Sequence, residues 1–184
     1  MNRTQDWSRI VLDAGPFFNF GSASLLALLG YVGPKAAISR EVEKELTLNA
    51  HGDFPFLRAV ELVRPPVEVI DLEPPVAEEL LDRARAAQKP GDHQNKHKGE
   101  ISTVLLAAQL AGTAIVICED FLGKRLANRK GIPRLSSAQL AAEMVVCGAM
   151  AEANGIAVFQ ASTEGVDPRL FADTLRKARE AQSV

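Results

Sequence analysis

Four carboxylates in this chain sit where a fold could bring them together. Asp13 ends the apolar run of VLDAGP, Glu45 lies in SREVEKEL three residues past Val42, Glu100 opens GEISTVLLAAQLAG, and Asp120 closes AIVICED. Each has a plain alternative. Asp13 and Asp120 stand where an acid caps the following helix. Glu45 looks like the solvated helix acids Glu41 and Glu43, and Glu100 is a favourable charge at a helix start. If the four converge, their charges repel and push their pKa values up unless a cation relieves the conflict. Oxygen donors with no Cys or His cluster beside them select a hard cation, Mg²⁺ or Mn²⁺. The chemistry of such a site is cation-assisted activation of water.

The elements that must position these acids alternate along the chain. Arg9–Ala14 is an apolar run closed by Gly15-Pro16, read as a buried strand and a turn. Helices are expected over Leu25–Tyr31, Arg40–Asn49 and Phe54–Leu62, with a strand over Ala36–Ser39. Val67–Leu72 reads as a strand, Ala77–Gln88 as an amphipathic helix, Lys89–Lys98 as a polar loop and Gly99–Ala111 as an Ala/Leu-rich helix. Ala114–Cys118 is a second strongly apolar strand. Phe121–Lys130 is a helix closed by Gly131, Ile132–Leu135 a short strand, and a long helix runs from Ser137 to about Ala153. A final helix spans Asp167–Gln182.

Strands separated by helices need crossover connections, which predicts an α/β fold with a mainly parallel sheet covered by helices. Ile10–Leu12 and Ile115–Ile117 are apolar on both faces and belong at its centre, as neighbours or near neighbours. In such sheets function gathers at the carboxyl ends of the strands, where Asp13 and the Glu119-Asp120 pair sit.

Composition narrows the classes. The chain has 184 residues, 47% hydrophobic and 24% charged, which suits one buried core and argues against wholesale disorder. The polar start MNRTQDWSR has no signal-peptide apolar region, and the apolar stretch around Ser22–Val32 is too short to span a bilayer, so a cytoplasmic protein is expected. Cys118 and Cys147 read as buried thiols. The net charge of -2 gives no global attraction to nucleic acid, so any such binding must come from local patches. One patch is Lys96-His97-Lys98, just before Glu100. The other is Lys124, Arg125, Arg129, Lys130 and Arg134, after Asp120. His93 and His97 have metal-ligand spacing only in a helix, and their stretch, KPGDHQNKHKG, is loop-like with no third ligand. Ser102 and Thr103 lie within a turn of Glu100 and could hold a ligand water, although hydroxyls on a helix are more often incidental. Trp7 and Tyr31 are too isolated to form a stacking platform.

The order and settings of the four acids resemble the PIN-domain family, particularly its toxin-like bacterial branch. VLDAGP supplies the strand-end Asp, VEKEL the helix Glu, and KGEISTVLLAAQLAG the acid opening a mid-chain helix. AIVICEDFLGKRLANRKGIPRL supplies the later strand, acid, short helix with Ala127, Gly131-Ile132 and strand. The match covers roughly Ile10 to Gly148. It implies a single PIN-like domain over residues 1–184, a three-layer α/β/α fold with its core about 10–148 and a helical extension about 149–184.

The resemblance implies a metal-dependent endoribonuclease, with Asp13, Glu100 and Asp120 holding Mg²⁺ or Mn²⁺ and Glu45 completing the ring and orienting water. Thr103 and Glu119 become accessory residues, and Lys96, Lys98, Lys124, Arg125 and Arg129 become RNA contacts. Hydrolysis of an RNA phosphodiester would leave a 3′-hydroxyl and a 5′-phosphate. A homodimer and a small antitoxin partner are also implied, with Ser24–Leu29 and the C-terminal segment as contact surfaces. Two departures stand out: the loop before Glu100 is long and carries His and Lys, and the acidic pair is Glu-Asp.

Rival readings fit less well. DAGPFFNFGS matches neither GxGxxG nor a P-loop. A strand-end Asp phosphatase would carry a second Asp where this chain has Gly15, and a receiver domain would need an acidic pair at the first strand. The remaining alternative is a non-catalytic PIN-like module that binds RNA or protein.

Overall fold

The structure is a computed structural model, and it describes residues 8–23, 29, 32, 36–48, 67–93, 95–110, 114–163 and 166–182. The expected Phe54–Leu62 helix, and all of Leu25–Tyr31 except Leu29, lie outside the described residues, as does most of the proposed Ser24–Leu29 contact surface.

Among the described residues, five strands alternate with eight helices. The strands are β1 (Arg9–Leu12), β2 (Ala36–Ser39), β3 (Glu68–Ile70), β4 (Ala114–Ile117) and β5 (Arg134–Leu135). They form one sheet in the order β3-β2-β1-β4-β5, and every pairing is parallel. The two strongly apolar strands are neighbours at its centre, with Ile10 opposite Ile115 and Leu12 opposite Ile117. The helices are α1 (Ala14–Ser22), α2 (Arg40–Leu48), α3 (Pro74–Ala87), α4 (Lys98–Gln109), α5 (Phe121–Lys130), α6 (Ser137–Val146), α7 (Glu152–Ser162) and α8 (Phe171–Gln182).

Side chains of a strand point alternately to its two faces, and the sheet therefore builds two cores. Ile10, Leu12, Ile115 and Ile117 pack with Phe17 and Phe20 of α1, Leu140 and Met144 of α6 and Val158 of α7. Val11, Val116 and Cys118 pack with Leu80 of α3, Val104 and Leu105 of α4 and Leu126 of α5. This is a three-layer α/β/α fold. Each aliphatic side chain taken wholly out of water contributes roughly 1.5–3 kcal/mol.

Three local expectations need correction. Gly15-Pro16 is not a turn but lies in the first turn of α1. A proline is tolerated there because its missing N–H would have no partner inside the helix. The Pro74-Pro75 pair likewise opens α3 ahead of the expected Ala77. The long helix after Ser137 is in fact two helices. α6 starts on a reciprocal cap between Ser136 and Gln139 and stops at Gly148, whose φ is 78°. There the Gly148 and Ala149 N–H groups donate back to Val145 and Met144 oxygens, a glycine-closed helix end. Cys118 is buried as expected, whereas Cys147 at this helix end is half-buried.

The apolar stripe of the C-terminal helix is also already used. Phe171, Leu175 and Ala178 of α8 pack on Ala138 and Ala142 of α6 and Phe159 of α7. That stripe is therefore internal packing and not the open contact surface its sequence suggested.

Candidate functional site

β1 and β4 are adjacent, but the chain leaves them in opposite directions, β1 toward β2 and β4 toward β5. Such a switch point opens a crevice beyond the carboxyl ends of the strands, between diverging connections. Asp13 follows β1, and its N–H donates to the Ile117 oxygen of β4 at 3.0 Å. Asp120 follows β4 by three residues. Both stand at helix N-cap positions, of α1 and α5, yet neither side chain makes a capping hydrogen bond. The capping alternative therefore does not account for these carboxylates.

α2 and α4 bring the other two acids. Ser39 ends β2 and its Oγ accepts from the Val42 N–H at 3.2 Å, which starts α2. Ser102 donates its only hydroxyl hydrogen to the Gly99 oxygen at 2.8 Å. The 2.6 Å contact between Ser39 and Ser102 then requires Ser39 to be the donor. This buried relay pins the start of α2 to the first turn of α4, and so fixes Glu45 relative to Glu100. Ser102 is thus a clamp and not a water holder.

The α2 acids are distinguished by their surroundings. Glu41 pairs with Lys44 at 2.7 Å and Glu43 with Arg40 at 2.6 Å. Glu45 is half-buried, and burial, followed by the charges of Glu100 and Asp120, raises its pKa. It packs so closely on Gly99 that a Cβ built there would overlap its Oε2. Only glycine leaves room for that carboxylate, a requirement the sequence alone does not announce.

Asp13 lies deepest, 3% exposed. Burial pushes its pKa from 3.8 up to about 8, the charges of Glu45, Glu100 and Asp120 add to the rise, and the Ala14 N–H opposes it. Thr103 Oγ1 stands 3.5 Å from Asp13 Oδ1 and also donates to the Gly99 oxygen at 3.0 Å. Its single hydrogen goes to the nearer Gly99 oxygen, and Asp13 is the longer of the two contacts.

Glu45, Glu100 and Asp120 line a pocket of about 820 Å³, with Lys96, His97 and Lys98 along its wall; Asp13 is buried outside that lining but feels the charges of all three acids. His97 takes a left-handed backbone, φ 71°, and its Nδ1 meets Glu100 Oε1 at 2.7 Å. The sequence offered His97 as a member of the basic Lys96-His97-Lys98 patch and as a candidate metal partner of His93, not as a partner of Glu100. Its signal, a His three residues before a helix-opening acid, becomes visible only with the backbone turn.

Glu119 belongs elsewhere. Its Oε1 accepts from the Ser137 N–H at the start of α6 and from Asn19 of α1. The basic cluster after Asp120 is divided. Lys130 pairs with Glu79 at 3.1 Å, Lys124 is half-buried on α5, and Arg125 and Arg129 line a separate groove.

Among the described residues, no three His, Cys, Asp or Glu side chains are drawn into a ready-made metal cage. The donor set nevertheless fits a hard divalent cation. It consists of carboxylate oxygens of one sign, one of them buried and held largely protonated until positive charge arrives. Asp13, Glu100 and Asp120, with Glu45 beside them, are the carboxylates that could hold such an ion once it draws them together. No helix among the described residues is long and apolar enough to cross a membrane. Comparison with protein-family models and with curated proteins finds no match for this chain.

Proposed function

We propose that this chain is a metal-dependent endoribonuclease of the PIN type, the toxin component of a toxin–antitoxin pair. The observation that carries the reading is the convergence of acids from four separate elements at the β1/β4 switch point, where Asp13 feels the charges of Glu45, Glu100 and Asp120. Acids that merely cap helices or decorate a surface have no reason to share one field.

Asp13, Glu100 and Asp120 would hold Mg²⁺ or Mn²⁺, which supplies charge neutralisation at the phosphodiester and acidifies water when bound. His97 orients the carboxylate of Glu100, and Thr103 packs beside that of Asp13. Glu45 orients the attacking water from its half-buried seat. Lys98, on the pocket wall, offsets the phosphate's negative charge, while Lys96 beside it is paired with Asp92 at 2.7 Å. The water oxygen bonds to phosphorus, the P–O3′ bond breaks, and the leaving oxygen takes up a proton, giving a 3′-hydroxyl and a 5′-phosphate. The same reading carries a homodimer and a small antitoxin partner, which co-purification and light scattering address.

Mn²⁺ titration followed by thermal melting, paired with cleavage of a labelled RNA, tests this function. The wild-type melting temperature should rise with Mn²⁺. Asp13→Asn should lose most of that rise and all cleavage. An Asp13→Asn protein free of contaminating nuclease that cuts at the wild-type rate would overturn the four-acid mechanism.

A further inference from the structure

Phe121 opens α5 directly after Asp120 and is 77% exposed, the most exposed of the large hydrophobic side chains among the described residues. Helical spacing puts Arg125 and Arg129 on the same face, with successive positions roughly 6 Å apart along the axis. Arg125, Arg129 and Arg83 line a groove of about 290 Å³ over Ile101, Leu122 and Leu126. No acidic side chain lines this groove. Arg83 and Lys130 are both engaged by Glu79, whereas Arg125 and Arg129 make no ion pair among the described residues. The groove and the acidic pocket share no lining residue, but they draw on the same two elements: Ile101 follows Glu100 on α4, and Leu122 lies two past Asp120 at the start of α5.

An exposed aromatic ring followed by two uncommitted guanidinium groups matches one kind of polymer. A single strand of nucleic acid offers unstacked bases for the ring and regularly spaced phosphates for the arginines. An acidic peptide would satisfy the arginines but leaves the exposed ring next to Asp120 without a role. We propose that single-stranded RNA leaves the acidic pocket along α5, with the nucleobase beside the cleaved phosphate stacked on Phe121 and the following phosphates held by Arg125 and Arg129. This rests on the ribonuclease reading and deepens it. It also narrows the basic cluster to two of its members, since Lys130 is turned to Glu79, Lys124 is half-buried, and Arg134 lies on β5 and donates to Asn128.

Anisotropy of a labelled single-stranded RNA, measured in EDTA across a salt series, tests the track in the full chain. Phe121→Ala should weaken binding about 5- to 100-fold with an unchanged salt slope, the range of one lost base–aromatic stack. Phe121→Trp should retain binding. A 2-aminopurine placed at the flanking base should be quenched by wild type and by Phe121→Trp, but not by Phe121→Ala. Replacing Arg125 and Arg129 together by Ala should flatten the slope of log affinity against log salt by about 1.4, at about 0.7 per single-strand phosphate. Unchanged affinity in Phe121→Ala, or an unchanged slope in the double variant, overturns the track. So does binding of a poly-glutamate peptide, but not RNA, that depends on the two arginines. The Mn²⁺ melting shift is read separately. If it is absent while Phe121-dependent RNA binding persists, the cleavage reading falls and the track stands; if it is present without that binding, the reverse holds.

Discussion

Asp13→Asn should make the metal-free protein more stable at alkaline pH, although it removes a residue central to the proposed chemistry. In the folded chain Asp13 has its pKa raised from 3.8 to about 8, first by burial and then by three neighbouring carboxylates. The sign follows from proton linkage. Between those two pH values the folded state binds more protons at this site than the unfolded chain does, so stability falls as pH rises through that window. Below the unfolded value the contribution is fully present; above about 8 it is gone. Each pKa unit is worth about 1.4 kcal/mol, so the four-unit gap corresponds to a loss on the order of 5 kcal/mol. Asparagine has the shape of the protonated acid and cannot ionise, so it escapes this loss.

Urea unfolding in EDTA, from pH 5 to pH 9, reads the effect directly. The wild-type midpoint should fall steadily, while that of Asp13→Asn should fall much less, keeping only a decline of the same sign from Glu45, whose pKa is also raised. The two proteins should already differ at pH 5 by on the order of 1–2 kcal/mol, since that pH lies about one unit above the unfolded value, and the gap should widen about threefold by pH 9. In a chain of this length 1 kcal/mol moves the melting temperature by about 2–4 °C, so a separation of roughly 10 °C or more is expected. Mn²⁺ should close the gap by stabilising the ionised wild-type site. A wild-type curve that is flat from pH 5 to pH 9, or an asparagine variant less stable than wild type at pH 9, would refute the convergence of the four acids around a buried Asp13.

Two further substitutions separate site geometry from scaffold. Gly99→Ala places a methyl group where Glu45 Oε2 now lies; the flexible carboxylate yields easily, so the urea midpoint should hold while RNA cleavage drops about 100-fold, as expected for a misplaced reacting group. Cleavage at the wild-type rate would remove Glu45 from the mechanism. Glu119→Ala takes the acceptor away from the Ser137 N–H and from Asn19 and should cost about 1–3 kcal/mol in urea unfolding. Its Mn²⁺ melting shift should equal that of wild type; a lost shift would put Glu119 back among the ligands.

The sheet was legible because β1 and β4 are continuous apolar runs, and only a centre strand needs that on both faces. Helix starts were harder wherever proline led. Gly15-Pro16 and Pro74-Pro75 carry the composition of turns, and only the backbone distinguishes a turn from a first helical turn that tolerates proline. The break at Gly148 was missed because the apolar pattern continues across it, while the φ of 78° that ends α6 is a property of one residue. At the site, the four acids could be found by their settings. Gly99 and the Ser39–Ser102 relay could not, because each is defined by a close approach between segments far apart in sequence, and His97 could not because its role depends on a left-handed backbone that non-glycine residues rarely adopt.

The one ambiguity the sequence could have resolved is the Glu119-Asp120 pair. Alternation along β4 sends Val116 and Cys118 to the core beneath α3, α4 and α5, and Ile115 and Ile117 to the opposite core beneath α1, α6 and α7. Continuing that parity past the strand end assigns Glu119 to the side of Ile117 and Asp120 to the side of Cys118. The contacts agree, since Glu119 reaches Asn19 of α1 and Ser137 of α6, while Asp120 lines the pocket with Glu100 of α4. The same parity on β1 puts Asp13 on the side of Val11, and its hydroxyl neighbour is Thr103 of α4. Two acids adjacent in sequence therefore face opposite layers, and only the one sharing Asp13's parity can join it. Exchanging their identities, Glu119→Asp with Asp120→Glu, would keep the composition and the parity. Each longer or shorter carboxylate should then miss its partner by about one methylene. Metal-dependent melting and α6 anchoring should both weaken together, an outcome that a freely pivoting acidic pair would not produce.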